Sequence, residues 1–231
     1  KKLRGKPGTS VKITVARQMG ESDAHEWTTK DFSITREVIK IESVQSRMLE
    51  DKTGYLRIIE FSAHTADDIA RALGKMKKSG MAALVLDLRN NPGGLLTAAV
   101  DVASFYLGDN KLIVYTQGRR PENRQDFRSG LKAPYSQIPM VVLVNGGSAS
   151  GSEIVAGALQ DHRRAVVVGT KSFGKGSVQT VLPLTQDRAI KITTARYFTP
   201  NGRSIQAQGI KPDIEIERAR VQPLSKDSEV T

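Results

Sequence analysis

The chain has 231 residues, enough for one large domain or two small ones, and at 39% hydrophobic it can bury a sizeable core. It has no cysteine, which excludes disulfides and thiolate metal sites, and no run of 18 apolar residues that would cross a membrane as a helix. The formal net charge is +11, yet the basic residues are scattered and no aromatic interleaving or nucleic-acid motif accompanies them. Specific nucleic-acid binding is therefore not expected, whereas association with an anionic membrane surface fits the charge.

Residues 9–17 alternate, with Val11, Ile13 and Val15 on one side, and read as a strand. A polar turn is expected over 22–29 and an extended linker strand over 32–41. A short strand follows at 44–50, then a turn at 51–54 and an apolar strand at 55–61. Residues 65–78 read as a helix with Thr65 as N-cap, Asp67 and Asp68 in the first turn, Ile69, Leu73 and Met76 buried, and Gly80 as the stop. A buried strand over 82–88 completes a β-α-β unit, for which a parallel right-handed crossover is expected. The turn Arg89-Asn90-Asn91-Pro92-Gly93-Gly94 leads into an apolar helix over 95–106. A strand over 111–116 precedes a polar stretch, 118–133, with no clear period, expected to be a mobile excursion.

The apolar run 140–144 reads as a buried parallel strand. It runs into Asn145-Gly146-Gly147 and a serine-rich elbow, Ser148-Ala149-Ser150-Gly151-Ser152. A helix is expected over 153–161, with Ser152 as its N-cap. Another strand over 165–169 ends in a loop carrying Lys175 between two glycines. A hairpin pairs 178–182 with 189–198, and the tail 219–231 is polar and expected to be disordered. The strand-helix alternation implies an α/β core.

The elbow suggests nucleophilic chemistry. A serine hydroxyl at a strand-to-helix turn is exposed beside the positive end of a helix dipole. None of the three histidines, His25, His64 and His162, stands in a loop context resembling a triad member. Lys175 is the better base. Gly174 and Gly176 let its backbone approach another element, and a desolvated lysine can accept a proton near neutral pH. Gln179 could hold the amine, and serine–lysine pairs are a known triad variant.

Three stretches carry a family resemblance: GSASGSEIVAGALQD followed by VGTKSFGKGSVQ, the upstream LVLDLRNNPGG, and LRGKPGT near the start. In this order they resemble the C-terminal processing (tail-specific) serine proteases. The family's nucleophile lies 25 positions before the lysine of its GKG motif, a relation that holds between Ser150 and Lys175. The resemblance thus implies Ser150 as nucleophile, ahead of Ser148 and Ser152, and Lys175 as base. It implies an oxyanion hole from the amides of Gly93 or Gly94 and of Gly151, the last standing where the family usually has alanine. An acid at Asp161 has been counted with the active site, but a carboxylate at a helix C-terminus opposes the dipole and needs a partner, for which Arg163 or Arg164 is at hand. Glu153 reads only as a favourable charge at a helix N-terminus, and Asp87 as a structural partner of Arg89.

The implied fold is a crotonase/ClpP-like α/β core of stacked β-β-α units over residues 19–218. Residues 1–18 would be the remnant of a PDZ domain and 219–231 a tail, so the sequence is expected to belong to a longer chain. The implied activity is cleavage of proteins near their C-termini without metal or cofactor. Implied partners are proteins or peptides with exposed C-terminal tails, an activating adaptor and further copies of the chain. The implied location is the bacterial periplasm or cell envelope, with the thylakoid lumen as plant counterpart. The competing classes are a catalytically silent peptide-binding member of the fold, a crotonase-like enzyme acting on a thioester, and a nucleic-acid-binding module.

Overall fold

A computed structural model describes residues 3–19, 26–38, 42–130 and 132–216. The chain divides into two compact units, residues 1–41 and 42–231. In the first, β1 (Ser10–Met19) and β2 (Glu26–Thr35) form an antiparallel hairpin in which Val11 faces Ile34 and Ile13 faces Phe32. Residues 32–35 of the expected linker strand thus end the second strand of a hairpin, a strand that begins at Glu26, inside the expected turn. Ile39, Ile41 and the tail 219–231 lie outside the described residues.

The second unit is built on a six-stranded sheet of β3 (Val44–Met48), β4 (Thr53–Ile58), β5 (Ala83–Asp87), β8 (Met140–Val144), β9 (Val166–Gly169) and β12 (Ile214–Glu215). The order is β12-β9-β8-β5-β4-β3, parallel except for the antiparallel β3–β4 edge. Burial alternates along β4, β5 and β8: Leu56, Ile58, Leu84, Leu86, Val142 and Val144 are fully buried, with half-exposed residues between. Their buried side chains join one hydrophobic cluster with three helices: α1 (Thr65–Lys78), α2 (Leu96–Ser104) and α3 (Gly151–Asp161). The amphipathic period of α1 seats Ile69, Leu73 and Met76 as expected. Its N-cap is His64, not Thr65: the Thr65 hydroxyl accepts from Ser62 N (2.9 Å) and faces back toward the Glu60 carbonyl.

A second sheet, order β10-β11-β6-β7, is made of β6 (Leu112–Gly118), β7 (Gln125–Arg128), β10 (Ser177–Pro183) and β11 (Ala189–Phe198). The polar excursion therefore contains a strand, β7, paired antiparallel with β6. Its charges satisfy one another, Arg124 and Arg128 both bonding Asp126, and the Arg124 guanidinium lies 3.8 Å from the centre of the Tyr115 ring. No helix among the described residues is long and apolar enough to cross a membrane.

Candidate active site

Loops at the carboxyl ends of β5, β8 and β9 converge, the position where open parallel sheets place their ligand sites. The first loop is Arg89–Gly94. Asn91 is fully buried; its Nδ2 donates to the Ile58 carbonyl (2.9 Å) and its Oδ1 accepts from Gly93 N (2.8 Å). Its backbone carbonyl accepts from Ala149 N (2.9 Å) and from Ser152 Oγ (3.0 Å), so this turn is bolted to the elbow. Gly93 fits because it lacks a side chain: a Cβ there would lie 2.6 Å from Ser150 Cβ.

The second loop is the elbow. Ser150 caps α3 with φ 55° and ψ −112°, outside the allowed regions for an L-residue. Such a conformation costs on the order of 1–3 kcal/mol and sits at a sharp strand-to-helix turn. The neighbouring serines are spent on structure. Ser148 Oγ donates to the Leu88 carbonyl (2.8 Å) and accepts from Asn145 N (3.0 Å); Ser152 Oγ is held by Asn91. Ser148 and Ser152 bond groups of other loops, whereas the Ser150 side chain stands in the capping box that opens α3, facing the Glu153 amide. The helix begins at Gly151, so the N-cap is Ser150 and not Ser152. The glycine at 151 has a physical cause, since a Cβ there would lie 2.9 Å from Phe61 Cδ2 in the core.

The third loop carries Lys175. Its flanking glycines do lie against another segment: a Cβ on Gly176 would lie 2.3 Å from Gln206 N, and Ala207 N donates to the Gly174 carbonyl (2.8 Å). Lys175 itself is exposed rather than desolvated, and no hydrogen bond joins its Nζ to Ser150 Oγ. Gln179 is exposed on β10 and makes no side-chain hydrogen bond to the lysine.

One residue joins the second and third loops, and its sequence position gave no more than a helix-start signal. Glu153 is fully buried. Its Oε2 accepts from Ser150 N (2.8 Å) and from Lys175 N (2.9 Å); its Oε1 accepts from Gly174 N (2.6 Å) and from Ser172 Oγ (2.6 Å). The backbones of Ser150 and Lys175 thus meet on one oxygen atom, no further apart than two hydrogen-bond lengths.

Of the expected oxyanion donors, the Gly93 N–H is taken by Asn91 Oδ1. Those of Gly94 and Gly151 have no acceptor among the described residues. Asp161 stands at the far end of α3, about 16 Å of helix rise from Ser150. Its side chain is 3% exposed, paired with Arg203 and bonded by Asn201 N (2.8 Å). Neither arginine expected beside it is the partner: Arg164 donates instead to the carbonyls of Tyr106, Tyr135 and Ile138.

The sequence matches Peptidase family S41 over residues 52–216, which takes in all three loops. The chain belongs to peptidase family S41. Among similar proteins is a carboxy-terminal-processing protease of Bartonella bacilliformis, 44% identical over 94% of this chain and 49% of that protein. A carboxyl-terminal-processing protease of Synechocystis sp. is 38% identical over 100% of this chain and 52% of its own length. The chain therefore spans about half the length of these curated relatives. Among solved structures, a photosystem II D1 C-terminal processing protease superposes with a TM-score of 0.70 at 31% identity, covering 92% of this chain and 57% of that one. The mixed α/β architecture is that of the S41 fold.

Proposed function

We propose that the chain is the catalytic core of a serine endopeptidase that cleaves proteins near their C-termini with a Ser150–Lys175 dyad. The observation that carries this reading is the shared Glu153 oxygen, which keeps the two backbones within reach of a lysine's flexible four-carbon stem. Rotation of the Lys175 side chain, without movement of its backbone, would bring Nζ to Ser150 Oγ. The exposed amine is then a resting arrangement, and Gln179 would engage it only in the closed one.

In the working arrangement, neutral Lys175 takes the Ser150 proton as Oγ attacks the peptide carbonyl. The tetrahedral oxyanion is received by the unbonded amides of Gly151 and Gly94, the first at the positive end of α3. Gly93 shapes the turn that presents them. Collapse releases the amine with the proton from Lys175, and a water activated by Lys175 hydrolyses the acyl-enzyme. The scheme calls for no metal or cofactor, and Asp161 serves to fasten α3.

The names of the relatives support substrates with exposed C-terminal tails. The match at LRGKPGT supports a PDZ element in the N-terminal unit, which would recognise such tails by strand addition. We place the enzyme in the bacterial envelope or periplasm, the thylakoid lumen being the second choice, acting as a homo-oligomer with an activating adaptor. The test is cleavage of a tailed peptide by the full-length protein and by Ser150→Ala and Lys175→Ala. Each substitution should lower kcat by at least about 10³-fold with the fold intact by circular dichroism. Wild-type cleavage by either variant would refute the dyad.

A further inference from the structure

A carboxylate stripped of water is expensive unless its lone pairs are filled. Glu153 is fully buried, and no lysine, arginine or histidine among the described residues forms an ion pair with it. A helix N-terminus can be capped at less cost by a serine, threonine or asparagine. The carboxylate is held instead by four donors, from Ser150, Ser172, Gly174 and Lys175. One belongs to the elbow and three to the lysine loop, and 19 or more residues separate Glu153 from the latter. The strained backbone of Ser150 is thereby tied to the lysine loop by a hydrogen bond from its own amide.

We propose that Glu153 is a positioning residue for the reaction: its carboxylate fixes the spacing and orientation of the elbow relative to the lysine loop, so that Lys175 finds Ser150 by side-chain rotation alone. The proposal rests on the dyad reading. An amide at this position keeps the shape but turns an NH2 group toward two of the four donors, so the loops must part. A displacement of about 1 Å in such a pair costs on the order of 10²-fold in rate.

The test is made in the full-length protein on a tailed peptide, with kcat and KM measured separately and thermal unfolding recorded for each variant. Ser150→Ala and Lys175→Ala are controls: if either cleaves normally, the dyad reading has failed, independently of Glu153. With both controls dead, Glu153→Gln should lower kcat by about 10²-fold while KM stays within about threefold, and Glu153→Asp, which keeps the carboxylate, should recover part of the loss. A folded Glu153→Gln variant with wild-type kcat overturns the proposal. If Glu153→Gln does not fold, Ser172→Ala and Glu153→Asp decide. A fall in kcat at unchanged melting temperature supports positioning. Wild-type kcat with a lowered melting temperature overturns it and leaves Glu153 a structural cap.

Discussion

Three serines within five residues enter α3, and the hydroxyls of two of them are tied to other loops. Ser148 and Ser152 stitch the elbow to Leu88 and Asn91, while Ser150 carries the strained backbone of the turn and caps α3. The same close fit explains Gly151. Replacing it with alanine drives a methyl into the buried Phe61 ring, so Gly151→Ala should cost about 1–3 kcal/mol in urea unfolding. The cost should shrink in a Phe61→Leu background, which a double-mutant cycle would measure. Asp161 belongs to another contact altogether. Asp161→Asn removes the charge facing Arg203 from a nearly dry site and should lower stability by about 1–3 kcal/mol. Cleavage per folded molecule should stay within about tenfold of wild type. A loss as deep as that of Ser150→Ala would place Asp161 in the chemistry after all.

At the scale of elements, what periodicity could show it did show. The apolar runs of β4, β5, β8 and β9 and the amphipathic face of α1 were legible because burial imposes its period on the residues. β7 was not, because its four residues carry charges that pair along the strand itself and so leave no apolar alternation. Long-range hydrogen bonds left no trace either: the role of Glu153 depends on a loop about twenty residues on, and the partner of Asp161 lies beyond the next three strands. The pairing of Asp87 with Arg89 was legible because the two are neighbours at a strand end. Burial acts to raise the Asp87 carboxyl, but hydrogen bonds from Arg89 and Tyr55 outweigh it and hold the group below the usual carboxylate range. A carboxyl depressed in the folded state contributes stability above its unfolded value, near 3.9, and that contribution is lost as pH falls through the folded value. Asp87→Asn should therefore lose stability at neutral pH and show a shallower decline below about pH 4 than wild type. Parallel acid-unfolding curves for the two proteins would contradict this.

At the scale of the whole molecule, the α/β class and the parallel core followed from the order of strands and helices. The second sheet did not, because β6 pairs with β11 across a sequence distance that no local pattern reports, and β7 joins its edge without apolar alternation. In the second unit, the two sheets and three helices described leave the carboxyl ends of β5, β8 and β9 to carry the glycine turn, the elbow and the lysine loop, and the candidate site is the meeting of these three. The central claim, that Ser150 is the nucleophile of this site, is tested most directly by labelling the full-length protein with a fluorophosphonate and mapping the adduct by peptide mass spectrometry. The adduct should sit on Ser150, persist in Ser148→Ala and Ser152→Ala, and vanish in Ser150→Ala. An adduct on Ser148 or Ser152, or labelling that survives Ser150→Ala, would contradict it.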